Sequence, residues 1–107
     1  MNNNLLERIN LLEGVKDELI NRIKVERHKR EIARSNLRRY EHDRIYIAYD
    51  TEHCIDMIGK YRRELELHSA RVIKLFAELQ HIEDEIFVLR EEYDRLNLLD
   101  FIHEYYI

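Results

Sequence analysis

From residue 5 to residue 96, apolar side chains recur at alternating steps of four and three. Let position a be residue 9 and every seventh residue after it, and position d residue 5 and every seventh after it. The a series carries Ile9, Ile23, Leu37, Ile58, Leu65, Val72, Leu79, Ile86 and Tyr93. The d series carries Leu5, Leu12, Leu19, Ala33, Tyr40, Ile47, Cys54, Tyr61, Leu75, Ile82, Leu89 and Leu96. A 3.5-residue apolar spacing held this long keeps one seam of a helix turned toward a neighbouring helix. The pattern therefore predicts long coiled-coil helix, with these residues as the helix–helix interface.

The seam is uneven. From Cys54 to Leu96, twelve of thirteen a and d positions are apolar, with His68 the exception. From Leu5 to Thr51 the figure is nine of fourteen, because Lys16, Glu26, Arg30, Arg44 and Thr51 interrupt. The C-terminal half is expected to grip a helix tightly. Polar seam positions weaken association but select register and partner. A second apolar stripe lies at b and c, with Leu11, Val25, Ile32, Ile45, Tyr46, Leu67, Ile73, Phe87 and Val88. At e and g, Leu6, Val15, Ile20, Ile55, Met57 and Phe76 widen the seam. A face this broad points to a bundle of three or four helices rather than a strict two-stranded zipper.

Flanking charges bear on orientation. A parallel homodimer sets Arg22 beside Arg27, Lys29 beside Arg34 and Glu78 beside Glu83, all repulsive, and stacks Arg30 on its own copy. Only Arg8 with Glu13 and Glu85 with Arg90 attract. Each exposed pair is worth a few tenths of a kcal/mol, and the core arginines add to the penalty. Folding the chain back near Gly59 brings residue i near 118 − i. Lys29 then approaches Glu85 and Glu92, and Arg34 approaches Glu83, although Arg27 meets Arg90. An antiparallel arrangement is favoured. A hairpin bending near Gly59, or at Asp50–Thr51 within "AYDTEH", satisfies it, with "RSN" at 34–36 a weaker bend. So does an antiparallel dimer of continuous helices, each about 140 Å long at 1.5 Å per residue. The rarity of such lengths in small chains favours the hairpin.

Composition sharpens this picture. The chain of 107 residues has no proline and two glycines, Gly14 and Gly59, against about five and seven at average usage. Few turns are therefore expected. Charged residues at 37% and hydrophobic ones at 45% fit neither a disordered nor a membrane chain, and no apolar run is long enough to span a bilayer. "MNNNLLERIN" lacks a basic n-region and apolar core, so no secretory signal is expected. Cys54 is single and fits a reducing compartment, cytoplasmic or nuclear.

Charge is segregated. Residues 22–44 hold nine Lys/Arg against four Asp/Glu, and residues 78–107 hold nine acids against two arginines. The basic stretch invites comparison with phosphate-binding helices. Its arginines spread around the helix and are interrupted by acids, so the acidic helix is the better expected counterpart. Candidate metal ligands are Asp50, His53 and Cys54 in "DTEHC", and Glu78 with His81 in the Glu-x-x-His spacing of bundle metal sites. Most of these fall at c or g, away from the seam, so a solvated polar face is the plainer reading. No phosphate-cradling glycine loop, nucleophile elbow or concave pocket is expected, which argues against an enzyme.

The expected fold is all-α, an elongated coiled coil: an antiparallel helical hairpin or an antiparallel dimer of long helices. It forms a single helical domain over 1–107, with an apolar and aromatic tail at 98–107 in which Phe101, Ile102, Tyr105 and Tyr106 cap the bundle or dock a partner. The expected function is non-enzymatic protein–protein interaction or scaffolding. The expected partners are a second copy, most simply in a dimer, or another helical protein, with no cofactor, metal, membrane or small-molecule substrate. Nucleic-acid binding through 22–44 and a metal-binding helical bundle are the alternatives.

Overall fold

The computed structural model describes residues 2–46 and 51–106. Helix α1 spans Asn2–Tyr46 and helix α2 spans Thr51–Tyr106. They form an antiparallel helical hairpin, and the described residues contain no strand. Without proline, and with Leu, Glu, Arg and Lys frequent, nothing local breaks either helix. Glu52 in the first turn of α2 and Arg44 in the last turn of α1 each oppose the partial charge of the helix end they sit on.

The chain divides into two compact units, one made of Met1–Ile20 with Ala77–Ile107 and the other of Asn21–Phe76. In the first unit, Ile9, Leu19 and Ile86 are buried; in the second, Ile23, Ala33, Cys54, Ile58, Val72 and Leu75 are. Every one of these is an a or d position. Of the other apolar seam residues, Leu5, Leu12, Leu37, Tyr40, Tyr61, Leu65, Leu79, Ile82, Leu89, Tyr93 and Leu96 are half-buried. Ile47 lies outside the described residues. A fully buried Val, Leu or Ile contributes about 1.5–3 kcal/mol and an exposed ion pair well under 1, so the seam dominates each unit's stability.

The bend is not at Gly59, which lies inside α2. The other expected place, Asp50–Thr51, sits where α1 has ended at Tyr46 and α2 begins at Thr51; Asp50 itself lies outside the described residues. The "RSN" triplet at 34–36 is likewise helical. The partners across the hairpin change accordingly. Glu13 pairs with Arg90, Lys16 with Glu83 at 4.0 Å and Glu41 with Arg62 at 3.3 Å. These paired numbers add to 99–103, not 118, so Arg34 does not meet Glu83 and Arg27 does not meet Arg90. Arg34 pairs with Glu31 of its own helix at 2.7 Å, and Lys29 with Glu26 at 3.9 Å.

A helical glycine leaves unused stability. A Cβ on Gly59 would meet only the flexible end of Arg63, at 3.4 Å, and one on Gly14 would meet nothing within 4 Å. Gly59→Ala and Gly14→Ala are each expected to raise stability in urea by about 0.5–1 kcal/mol. A loss on Gly59→Ala would return the bend to that position.

Candidate interaction surface

The polar interruptions of the seam have distinct fates. Glu26 and His68, both at d, meet in the second unit, where His68 Nδ1 lies 2.6 Å from Glu26 Oε2. An ionised carboxylate only accepts, so Nδ1 carries the hydrogen and donates. Both side chains are largely covered, and Arg71 and Lys29 stand 3.8 and 3.9 Å from the other carboxylate oxygen. The His68 hydrogen bond holds the Glu26 carboxyl below its ordinary range; burial opposes this, and the positive charges of Lys29, His68 and Arg71 assist it. Lys16 reaches the seam edge and pairs with Glu83. Arg30 is half-buried, and its Nε is shielded from water without a hydrogen-bond partner among the described residues. Arg44 and Thr51, at the ends of the two helices facing the bend, are exposed.

Tyr40 and Tyr61, also at d, stack with ring centroids 5.8 Å apart, and His53 meets the Tyr40 ring edge-on at 5.9 Å. His53 is thus an aromatic neighbour of the seam, and Cys54 is a buried free thiol within it. Asp50, the third residue of that candidate metal group, lies outside the described residues. His81 is exposed and pairs with Glu85 at 2.9 Å rather than with Glu78. Among the described residues no three His, Cys, Asp or Glu side chains converge as a metal site would require.

Outside the seam much of the apolar stripe is uncovered; the side chains of Ile45 and Tyr46 lie outside the described residues. Leu11, Ile73, Phe87 and Val88 are 61–71% exposed, and Val25, Ile32 and Leu67 about half. Among the described residues, no exposed large hydrophobic one sits at a or d. Patches of this kind on a soluble surface mark contact sites more often than scattered single residues do. In the first unit an open groove of about 280 Å³ runs beside Phe87, between Glu13, Lys16, Glu83, Ile86 and Arg90. Its four charged residues pair among themselves, and Ile86 and Phe87 are its apolar lining.

The end of α2 is a separate feature. Past Leu96 the a and d positions become Asp100 and His103, and the apolar residues move off the seam. Phe101, Ile102, Tyr105 and Tyr106 are exposed. Phe101 packs on Tyr105 at 4.7 Å and lies 6.2 Å from Tyr106, a small aromatic cluster on the helix surface.

Charge follows the two units. Taken alone, the Asn21–Phe76 unit carries fourteen Lys/Arg against nine Asp/Glu, a balance of +5. The other unit carries four against thirteen, a balance of −9. The basic stretch 22–44 therefore does not have the acidic stretch 78–107 as its counterpart. It shares its unit with the charge-balanced residues 45–76, and Arg22, Lys24, Arg27, Arg38, Arg39 and Arg44 lie exposed.

The chain matches no family model, no curated protein sequence and no solved structure. No described helix is long and apolar enough to cross a membrane.

Proposed function

We propose that this chain is a non-catalytic coiled-coil interaction protein, whose hairpin presents an apolar outer stripe to other helices. One observation carries the reading. The seam takes up the described apolar a and d side chains, while large apolar residues at b and c, Leu11, Ile73, Phe87 and Val88 foremost, stay open to water. A third or fourth helix laid along the stripe removes that surface from water and completes a bundle. The exposed aromatic cluster on Phe101, Tyr105 and Tyr106 has the residue types that anchor protein interfaces. Cys54, single and free, supports a reducing compartment such as cytosol or nucleus.

A variant with Val25, Ile32, Phe87 and Val88 all replaced by Gln tests this. Its far-ultraviolet circular dichroism and melting temperature are expected to stay close to wild type, since none of these residues is buried. In cells of the source organism, quantitative cross-linking is expected to lose the helical partners that wild type retains, a second copy counted among them. An unchanged partner set sinks the reading.

The exposed cations of the basic unit favour a second reading, binding to a phosphate backbone. Binding of that kind weakens by decades between low and moderate salt, with a slope set by the number of phosphates neutralised. A short mixed-sequence duplex titrated at several salt concentrations shows that slope or excludes the reading.

A further inference from the structure

The two units carry matching surfaces. In the basic unit, Val25 and Ile32 sit at successive c positions of α1, both about half exposed. Neighbours three or four residues away share a helix face. For this pair they include Arg22 and Lys29, and Arg39 sits at the next c position after Ile32. In the acidic unit, Val88 also sits at c, on α2, and is 61% exposed beside Phe87. Its neighbours at the same spacing are Asp84, Glu85, Glu91 and Glu92. One apolar spot is flanked by cations and the other by anions.

We propose that the Val25–Ile32 face of one chain seats on the Phe87–Val88 face of a second copy. The inference rests on the interaction reading above and names the partner. A contact between two acidic faces sets four carboxylates against four, and one between two basic faces repels in the same way. The cross pairing alone covers the apolar residues and brings opposite charges together, and one chain carries both halves of it. The contact also supplies the additional helices that the apolar b and c positions call for. Electrostatic matching of this type governs pairing choice and association rate, and it is screened as the Debye length falls from about 10 Å at 0.1 M salt to about 3 Å at 1 M.

The test uses the full chain and two charge-reversal variants, R22E/R39E in the basic unit and E91K/E92K in the acidic one. All four positions are exposed, and dichroism checks that each variant keeps wild-type helicity. Wild type is expected to sediment as two chains or more at low salt and to weaken at least about tenfold in dissociation constant at high salt. Each variant alone is expected to associate at least about tenfold more weakly than wild type. An equimolar mixture is expected to recover the wild-type mass, because the reversed basic face of one variant again meets unlike charge on the reversed acidic face of the other. A single-chain mass for wild type at every concentration overturns the proposal. So does a mixture no tighter than its components, or cross-links joining acidic unit to acidic unit. A monomer that instead binds duplex DNA through Arg22 assigns the basic face to nucleic acid and also overturns it. Wild type that stays monomeric, yet loses other helical partners in the Gln variant, discards the second copy and keeps the interaction reading.

Discussion

Ile58→Asp combined with Leu75→Asp is expected to abolish cooperative folding at 25 °C. Both residues are only 4–5% exposed and lie in one unit. Removing a buried Leu or Ile side chain down to Cβ costs about 2–5 kcal/mol. The introduced carboxyl adds the penalty of a buried polar group without partners, about 1–3 kcal/mol or more if it stays charged. The total for two sites reaches the 5–15 kcal/mol that stabilises a typical domain. Isolated helices of such a polar sequence have little stability without their packing face, so the dichroism at 222 nm is expected to collapse rather than merely shift its midpoint. The control is Ile73→Asp. Ile73 is one position beyond the buried Val72 in sequence, but it sits at b and is 71% exposed. That substitution is expected to move the melt by no more than about 0.5 kcal/mol. Comparable damage from Ile73→Asp, or a cooperative wild-type melt in the double variant, places the core on a different face.

The seam was legible because its signal is local and repeated. Which face of a helix is apolar follows from spacing alone, and Ile9, Ile23, Ile58, Val72 and Ile86 are buried at the positions that spacing names. How far along one arm the other arm folds back was not legible in the same way. The pattern repeats every seven residues, so sliding one helix by a heptad or two keeps apolar against apolar. Flanking charges had to decide, and each is worth only tenths of a kcal/mol. They favoured a fold that set Lys29 against Glu85 and Arg34 against Glu83. The hairpin instead sets Glu13 against Arg90 and Glu41 against Arg62, a shift of about two heptads. A stronger clue lay inside the seam, in the polar residues that break the repeat. Glu26 and His68 each disfavour an apolar neighbour but suit each other, and requiring that they meet selects a register close to the observed one. Gly59 misled for a related reason. A single glycine lowers helix stability by about 1 kcal/mol, which a bend exploits but which a helix held by packing on both sides of it, at Ile58 and Leu65, readily absorbs. Function was less legible than fold because the residues left over from the seam are generic in type. Val25, Ile32 and Val88 gain meaning only from the charges around them.

Replacing Glu26 and His68 together by Leu is expected to raise stability by about 2 kcal/mol. A largely covered ion pair gives up hydration that its mutual attraction barely restores, and swapping such a pair for apolar residues of similar size is commonly neutral or stabilising by about 1–4 kcal/mol. Two leucines at d extend the seam between Ile23 and Val72. The same exchange removes a pH dependence whose direction is fixed. The His68 hydrogen bond, with Lys29 and Arg71 nearby, lowers the Glu26 carboxyl below its ordinary value. The folded chain therefore releases that proton more readily than the unfolded chain, and the contribution is fully present above the ordinary carboxylate value. It is lost as pH falls below 4.5 toward the lower folded value, because below that both states hold the proton equally. Urea melts from pH 6 downward are expected to show wild type losing stability across this window more steeply than the Leu/Leu variant, since only wild type carries this carboxylate. Parallel pH profiles for the two proteins contradict the role given to Glu26. The apolar variant also probes what the pair is for. If the pair selects register, the stabilised protein is expected to sample heptad-shifted pairings, seen as new cross-links between α1 and α2 displaced by seven residues. A more stable protein with the wild-type cross-link pattern assigns register to the bend and to the Tyr40–Tyr61 stack instead. In either outcome, the comparison separates the residues that hold the hairpin together from those that decide how it is aligned.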